Sequence, residues 1–434
     1  MEQGSVPARG ERLMATFTDY EYAHHSMVCS GCSCLCDDVS YYVKDGRVVR
    51  TLNLCEVGMK QLRSCTAEDR LLPMSPRSFK ECVHESLGLL SAHRPVLILG
   101  PDSVDEAAIM ASLQMAQALE AMWLPWAFTG MRRFFDQVTQ FGWATALLDE
   151  VRDQADLVCF WGADPLVTHH RHLSRYSFFA RGRYTERGSS DRNLAAVARH
   201  TTVIEPLCQQ FFVVPSHEDL DLIKVLNNPL HSSGPDHRDV PLLVKALQKA
   251  SYIAVFVDPE NMSDEALCAL FEWSASVNNK GHTRFVILPL WAAGANIAGF
   301  TQISMECVGT GWGYDFSGGP MIHPSNSTWE NLSDKVGSVL MVESGSEGAN
   351  RTQLPEPLIG KPLVVINPFK EAAVNAADVV IPAALSGIEN DGIFYRADGL
   401  PMKTRKIRGI IDGGYPSVDE ILKGILMEWS SWPR

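Results

Sequence analysis

Seven short apolar runs constrain the fold of this chain most strongly. They lie at 95–100, 156–162, 201–205, 252–258, 284–289, 338–343 and 363–368, and helix-like stretches separate several of them. Short strands that are apolar almost throughout are typical of parallel sheets covered by helices on both faces. The sequence therefore predicts an α/β fold with at least two doubly wound domains. Ligands in such domains bind beyond the carboxyl ends of the strands, here after Gly162, Asp258 and Pro368.

A second constraint is a group of five cysteines near the start of the chain. Cys29, Cys32, Cys34 and Cys36 fall close together, and Cys55 follows two strand-like segments joined by an Asp-Gly turn. Because a hairpin returns the chain to its origin, we expect Cys55 to lie beside Cys29, Cys32 and Cys36. Four such thiolates can hold a [4Fe–4S] cluster. A tetrahedral zinc site and a group of reduced, buried thiols are the alternatives.

Charge and hydropathy exclude several classes of protein. The 434 residues carry a formal net charge of −13, which argues against nucleic acid or an anionic membrane as the main partner. Residues 1–22 contain no apolar core of a signal peptide, and proline and glycine interrupt the most apolar stretch, 285–300. Most of the other cysteines are scattered, as reduced core residues are. We therefore expect a cytoplasmic protein without a membrane or nucleic-acid partner.

These patterns predict a division of the chain into four parts. Residues 1–22 form a flexible extension, and 23–75 form a Cys-rich hairpin domain of the iron–sulfur type. An α/β domain follows at 76–240, and a second α/β domain with a C-terminal hairpin region occupies 241–434. Residues 227–239 and 321–335 are rich in Pro, Ser, Asn and His and are predicted to be loops.

Basic residues follow the predicted strand at 156–162. Arginine and histidine are concentrated between His169 and Arg183. At the ligand-binding end of a sheet, arginines there can hold a phosphate or carboxylate in a bidentate manner. The alternatives are a solvated loop and helix face, or a metal site formed by the histidines, for which the spacing is a weak signal.

A third polar stretch spans 377–406. Its apolar run ends at Pro382, and Gly387 and Gly392 allow a close approach of the backbone. Glu389 between them is a candidate general acid or base, although a single carboxylate beside glycines is more often structural. No nucleophile elbow, Walker loop, GxGxxG or HExxH motif occurs in the sequence.

These stretches resemble the motifs of one family, the B subunits of formylmethanofuran dehydrogenase and of the bacterial formyltransferase/hydrolase complex. The resemblance runs in order over about residues 23–425. Its motifs correspond to Cys29-x2-Cys32-x3-Cys36 with Cys55, Trp161-Gly162 with Arg171-His172, Arg175 and Arg181, Asn296–Phe300, and Gly387-x-Glu389 with Tyr395-Arg396.

The resemblance implies a fold similar to molybdopterin formate dehydrogenases without their final β-barrel domain. It implies a [4Fe–4S] cluster on Cys29, Cys32, Cys36 and Cys55. It also implies partner subunits of the A, C and D type, which hold a carrier of the formyl-methanofuran type. The positions that correspond to a pterin pocket, functioning or vestigial, are Trp161, Gly162, Arg171, His172, Arg175, Arg181, Gly387, Glu389, Tyr395 and Arg396.

One position departs from the dehydrogenase pattern. The family's metal-ligating cysteine corresponds here to Gly130, which has no side chain, and Arg132 and Arg133 would add positive charge there. A tungsten or molybdenum bis-pterin is therefore not expected, and the chain is predicted to be a non-redox, structural subunit whose own catalytic centre is lost. The alternatives are a redox-active dehydrogenase subunit with another metal ligand and a free-standing zinc or iron–sulfur protein. In a non-redox subunit, the cysteines either bind a cluster that only stabilises the structure or are a remnant that no longer binds iron.

Overall fold

A computed structural model describes residues 20–64, 70–228, 239–292, 294–318, 328–343, 354–369, 376–410 and 413–432, without the side chains of 63, 64 and 76. Its strands, numbered β1 to β16, are Tyr22–Met27, Val39–Lys44, Arg47–Leu52, Val96–Leu99, Met122–Leu124, Leu157–Trp161, Asn193–Ala198, Gln210–Val213, Tyr252–Val257, Arg284–Pro289, Tyr314–Asp315, Ser338–Val342, Leu363–Asn367, Val379–Pro382, Gly392–Tyr395 and Pro401–Thr404. Its helices, numbered α1 to α13, are Glu56–Ser64, Pro76–Ala92, Glu106–Leu119, Phe128–Phe141, Leu148–Gln154, Pro165–Thr168, His172–Arg175, Asp219–Asn227, Val240–Lys249, Asp264–Lys280, Ile297–Val308, Trp329–Ser333 and Val418–Ser430.

The cysteine region forms a small antiparallel sheet in the order β1-β2-β3. The tight turn between β2 and β3 places Asp45 at φ 50 and Gly46 at φ 72, the left-handed pair that matches the twist of a two-residue hairpin. Cys55 is the third residue after β3, so the chain returns toward the cysteines that precede β2. The predicted hairpin is confirmed.

A five-stranded parallel sheet occupies the middle of the chain in the order β10-β9-β6-β7-β8. The chain builds β6, β7 and β8 toward one edge and then returns to add β9 and β10 on the other side of β6. This reversal makes the carboxyl ends of β6 and β9 the topological switch point, where ligands bind in such sheets.

A second sheet has the order β11-β5-β4-β12-β13-β14 and is parallel except for β11. It joins strands from 96–124 to strands from 338–382, while the first sheet joins 157–213 to 252–289. The strand pairing therefore crosses the boundary predicted at residue 240. Pairing between strands far apart in sequence leaves no local pattern, so composition could not reveal it.

Six of the seven predicted strands are confirmed, and the one at 201–205 is wrong. The chain there forms a loop and a short 3-10 helix, Glu205–Leu207, between β7 and β8. β7 is Asn-Leu-Ala-Ala-Val-Ala, which has weak strand propensity. Pairing on both sides, with β6 and β8, overrides that propensity.

Several predicted segments lie outside the described residues: 1–19 of the extension, 229–238 and 321–327. Within the described part, no helix is long and apolar enough to cross a bilayer.

Candidate functional site

The cysteine loop, residues 29–36, is closed by its own backbone. The Cys29 amide donates to the Cys36 carbonyl at 2.9 Å, and the Leu35 amide donates to the Cys32 carbonyl at 3.1 Å. Gly58, in α1, lies against this loop, because a Cβ there would be 2.9 Å from the Cys29 sulfur. All these cysteines are free thiols. The loop and the start of α1 therefore form one compact unit.

The predicted ligands lie within electrostatic reach of one another. Burial raises the pKa of Cys29 well above its usual value, and Cys32, Cys36 and Cys55 raise it further. Burial, followed by Cys32, raises the pKa of Cys36 to about 12. These four thiols are the ligands that the sequence predicted for a [4Fe–4S] cluster, and a bound cluster would stabilise their deprotonated form. In the described part of the chain, no group of three or more His, Cys, Asp or Glu is arranged to hold a metal ion.

Arginines from the second polar stretch bind the residues that directly follow the cysteine loop. Arg171 makes two parallel hydrogen bonds of 2.7 Å to Asp38 and donates to the Asn53 carbonyl at 2.6 Å. Arg175 pairs with Asp37 and Asp38, each at 2.5 Å. Burial alone would raise the pKa of Asp38, but the hydrogen bond from Arg171 and the charge of Arg175 lower it below its usual value. Both arginines thus have carboxylate partners within the chain.

Two histidines of this stretch are buried, and one of them, His169, contacts the same loop. Nε2 of His169 lies 2.9 Å from the Ser33 hydroxyl, and the Tyr176 hydroxyl donates to the Cys34 carbonyl at 3.0 Å. His172 is fully buried against two phenylalanine rings of the sheet. Burial lowers the pKa of His169 to about 4 and of His172 to about 3, so both imidazoles are neutral at pH 7.

The third polar stretch reaches the cysteine loop from another side. At Gly387, with φ +78, a Cβ would be 2.9 Å from the Ser30 hydroxyl, which donates to the Ser386 carbonyl at 3.2 Å. Glu389 forms a buried ion pair with Arg70 and accepts the Leu385 amide at 2.7 Å. These contacts give Glu389 a structural role in the segment 385–389.

The β15–β16 hairpin completes the contacts. Arg396 is buried and pairs with Asp398 and Asp149, each at 2.7 Å. The next amide, of residue 397, donates to the Ser33 carbonyl at 2.8 Å, and the Tyr395 amide donates to Oδ1 of Asn296 at 2.7 Å. The structure therefore places Gly387 against the cysteine loop, and Arg171 and Arg175 against the two aspartates that follow it. Among the predicted pocket positions, the buried Nε2 of His172 and Nε of Arg175 have no hydrogen-bond partner in the described part of the chain.

The topological switch point is also filled by the chain. Asn261, after β9, donates to the Gly162 carbonyl at 3.1 Å and to the Asp258 carboxylate at 2.7 Å. A Cβ on Gly162, which has φ +70, would be 3.0 Å from Cβ of Asn261, and the preceding Trp161 is buried. Burial raises the pKa of Asp258 to about 7. The turn Pro259–Asn261 thus covers the end of β6.

The same turn covers Gly130. The backbone amide of Gly130 donates to Oε1 of Glu260 at 2.6 Å. The Thr129 hydroxyl lies 3.0 Å from both oxygens of that carboxylate. A Cβ on Gly130 would be 2.6 Å from Oε1 and 2.9 Å from the backbone nitrogen of Glu260. The residues present do not accommodate a metal-ligating side chain at this position, and so do not fit a pterin-bound metal held in that manner.

The arginines beside Gly130 do not add free charge to this position. Arg132 pairs with Asp136 at 2.9 Å, and Arg133 lies 3.7 Å from Asp264. The predicted positive charge is therefore balanced along α4 and α10. The prediction missed Glu260, whose only signal in the sequence was its position just after a strand.

Arg181 stands apart from the other predicted residues. It lies on an exposed loop that follows α7, and it contributes to none of the contacts at the cysteine loop.

Comparisons with known proteins show relatives along nearly the whole chain, although no family model matches it. One relative is the B subunit of tungsten-containing formylmethanofuran dehydrogenase 2 from Methanocaldococcus jannaschii, with 27% identity over 92% of this chain and 96% of the relative. The protein of the same name from Methanococcus maripaludis is 26% identical over 88% of this chain and 93% of its own length.

Solved structures share the fold. One chain of the formyltransferase/hydrolase complex FhcABCD from Methylorubrum extorquens, solved with methylofuran, has the same fold. The match covers 83% of this chain and 98% of that chain, with a TM-score of 0.66 and 17% identity. Acetylene hydratase from Pelobacter acetylenicus matches 94% of this chain and 69% of its own, with a TM-score of 0.58 and 10% identity. The predicted fold class and resemblance are confirmed: the chain is similar over nearly its whole length to B subunits of formylmethanofuran dehydrogenase.

Proposed function

We propose that this chain is a non-redox B-type subunit of a formyltransferase/hydrolase complex in one-carbon metabolism. The similarity to B subunits over nearly the full length, and a fold shared with a chain of FhcABCD, support this role. In such a complex the chain organises partners of the A, C and D type. The formyl carrier, of the methanofuran type, is held by those partners, and the chemistry on it is theirs.

One observation carries the non-redox part of the proposal. Gly130 stands where the resemblance places a metal-ligating cysteine, and the Glu260 carboxylate occupies the space that a side chain there would need. Three of the four arginines at the pocket positions, Arg171, Arg175 and Arg396, are paired with carboxylates of the chain itself. An anionic cofactor would have to break those ion pairs before these arginines could hold it, which opposes its binding.

The four clustered cysteines support a retained [4Fe–4S] cluster as part of the same proposal. Such a cluster can transfer electrons. In this chain its role would be structural, because a cluster bound by Cys29, Cys32, Cys36 and Cys55 would link the cysteine loop to the start of α1. Metal binding couples to folding where the site is absent from the unfolded chain.

The test is elemental analysis and activity of the complex purified with its co-expressed partners. We expect about four iron atoms per chain, no stoichiometric tungsten or molybdenum, and formyl-transfer and hydrolysis activity that requires this subunit for assembly. Stoichiometric tungsten or molybdenum, together with reduction of a viologen by the formylated carrier, would instead support a redox-active dehydrogenase subunit. A chain that purifies alone as a zinc protein would overturn both.

A cysteine substitution can show whether the loop cysteines bind a structural cluster or are a remnant that binds none. Cys32→Ser is expected to reduce the visible absorbance of the complex and to lower the melting temperature, because one of four ligands is lost. Cys82→Ser, at a cysteine in α2 far along the chain from the loop, is the matched control. Equal absorbance, stability and assembly in both variants would identify the cysteines of the loop as a remnant.

A further inference from the structure

Arginine is concentrated between residues 171 and 192, although the chain as a whole is acidic. This segment holds six arginines and two acidic residues, whereas the whole chain has 38 basic and 51 acidic side chains. Four of the six arginines have partners inside the chain or support its backbone. The other two, Arg181 and Arg183, are exposed and have no carboxylate partner among the described residues.

The loop that carries them, residues 179–187, is held rigidly from beneath by Arg192. This side chain is buried, and burial lowers its pKa below the usual arginine value. Its guanidinium donates to five acceptors: the carbonyls of Ala155, Phe178, Ala180 and Arg152, and the hydroxyl of Thr185. A buried cation that ties several backbone carbonyls together fixes the course of the loop above it.

Close contact with α5 fixes the loop further. The Tyr184 amide donates to the Asp153 carbonyl at 2.9 Å. At Gly182 a Cβ would be 2.1 Å from the Arg152 carbonyl oxygen and 2.5 Å from Cα of Asp153. Because those atoms belong to the backbone, no larger side chain fits without moving the loop. The loop therefore needs little further ordering when something binds to it.

This rigid loop presents aromatic side chains to solvent. Phe179 is 44% exposed and Tyr184 is 69% exposed. The guanidinium of Arg183 lies 5.6 Å from the centre of the Tyr184 ring, within range of a cation–π contact. Exposed tyrosine and arginine on a pre-organised surface match the residues that dominate protein–protein interfaces.

From this geometry we infer that Phe179, Arg181, Arg183 and Tyr184 form a docking surface for an acidic patch on another subunit of the complex. The inference rests on the proposed function. Two arginines without a carboxylate partner in the described part of the chain can each hold a carboxylate in a bidentate manner, and the aromatic rings supply the apolar area that is buried beside those pairs. The surface has a net positive charge despite Glu186, the one acidic residue of the loop. Its contacts therefore weaken as salt rises.

The experiment uses the full chain, tagged and co-expressed with its A-, C- and D-type partners. We compare the double variant R183E/Y184A with R77E, a charge reversal at an arginine that is 89% exposed on α2. We expect the double variant to retain its partners about tenfold less well than the wild type, with the difference largest at low salt. R77E is expected to retain them fully. The melting temperatures of the isolated variants should match the wild type, because both changed side chains are exposed.

Three other outcomes are distinguishable. If the wild-type chain retains no partner subunit, the proposed function fails and the docking surface fails with it. If the wild type assembles and the double variant assembles equally well, only the docking surface is overturned. A loss of partners in R77E equal to that in the double variant would also overturn it, because the effect would then come from general charge and not from this loop.

Discussion

Replacing Gly130 with cysteine is expected to destabilise the chain by about 3 kcal/mol and not to restore a metal site. The new Cβ would lie 2.6 Å from Oε1 and 2.9 Å from the backbone nitrogen of Glu260. The carboxylate can move, but the backbone of the turn can move only by disturbing Asn261, which bridges Gly162 and Asp258. The free energy of unfolding, measured with denaturant, checks this expectation.

Gly88→Ala provides the matched control. Gly88 lies within α2, and a Cβ there would meet nothing within 4 Å. That change should stabilise the chain by about 1 kcal/mol, since alanine is the better helix former. Adding Glu260→Ala to Gly130→Cys should recover only part of the lost stability, because the backbone contact remains. Full stability of Gly130→Cys, with bound tungsten or molybdenum, would show that the position is still open.

Acidification from pH 6.5 to 4.5 is expected to lower the free energy of unfolding by about 4 kcal/mol through two histidines. Burial holds the pKa of His169 to about 4 and that of His172 to about 3 in the folded chain. A histidine in the unfolded chain titrates near 6.5, so below that pH the unfolded state binds protons that the folded state cannot. The contribution of the two histidines to the free energy of unfolding is therefore fully present above pH 6.5. It is lost as the pH falls toward 4, for His169, and toward 3, for His172.

The cysteine loop should respond to the same titration. Because Nε2 of His169 lies beside the Ser33 hydroxyl, a proton on that ring disturbs the contact with the loop.

His172→Asn should flatten the pH dependence of unfolding by about half, since one of the two buried imidazoles is removed. His282→Asn is the control, at an exposed histidine outside this region. An unchanged pH dependence in His172→Asn would show that this imidazole is already accessible to water.

The site was predicted best where the signal lay within one short segment. The hairpin that returns Cys55 to the other cysteines follows from strand propensity and one Asp-Gly turn. The partners of Arg171 and Arg175 could not be predicted in this way. Asp37 and Asp38 lie more than a hundred residues away, and an arginine that binds an external anion looks the same in sequence as one that pairs internally.

The sequence by itself determined the parallel α/β architecture, the cysteine hairpin and the absence of a ligating side chain at Gly130, because each depends on local pattern or residue identity. The tertiary structure alone decided which strands share a sheet, since β4 pairs with β12, which follows it by more than two hundred residues. It also decided that Glu260 fills the space beside Gly130. Packing density makes this consequential: in a close-packed interior, a space is either open to a ligand or occupied by the chain, and only the assembled neighbours show which.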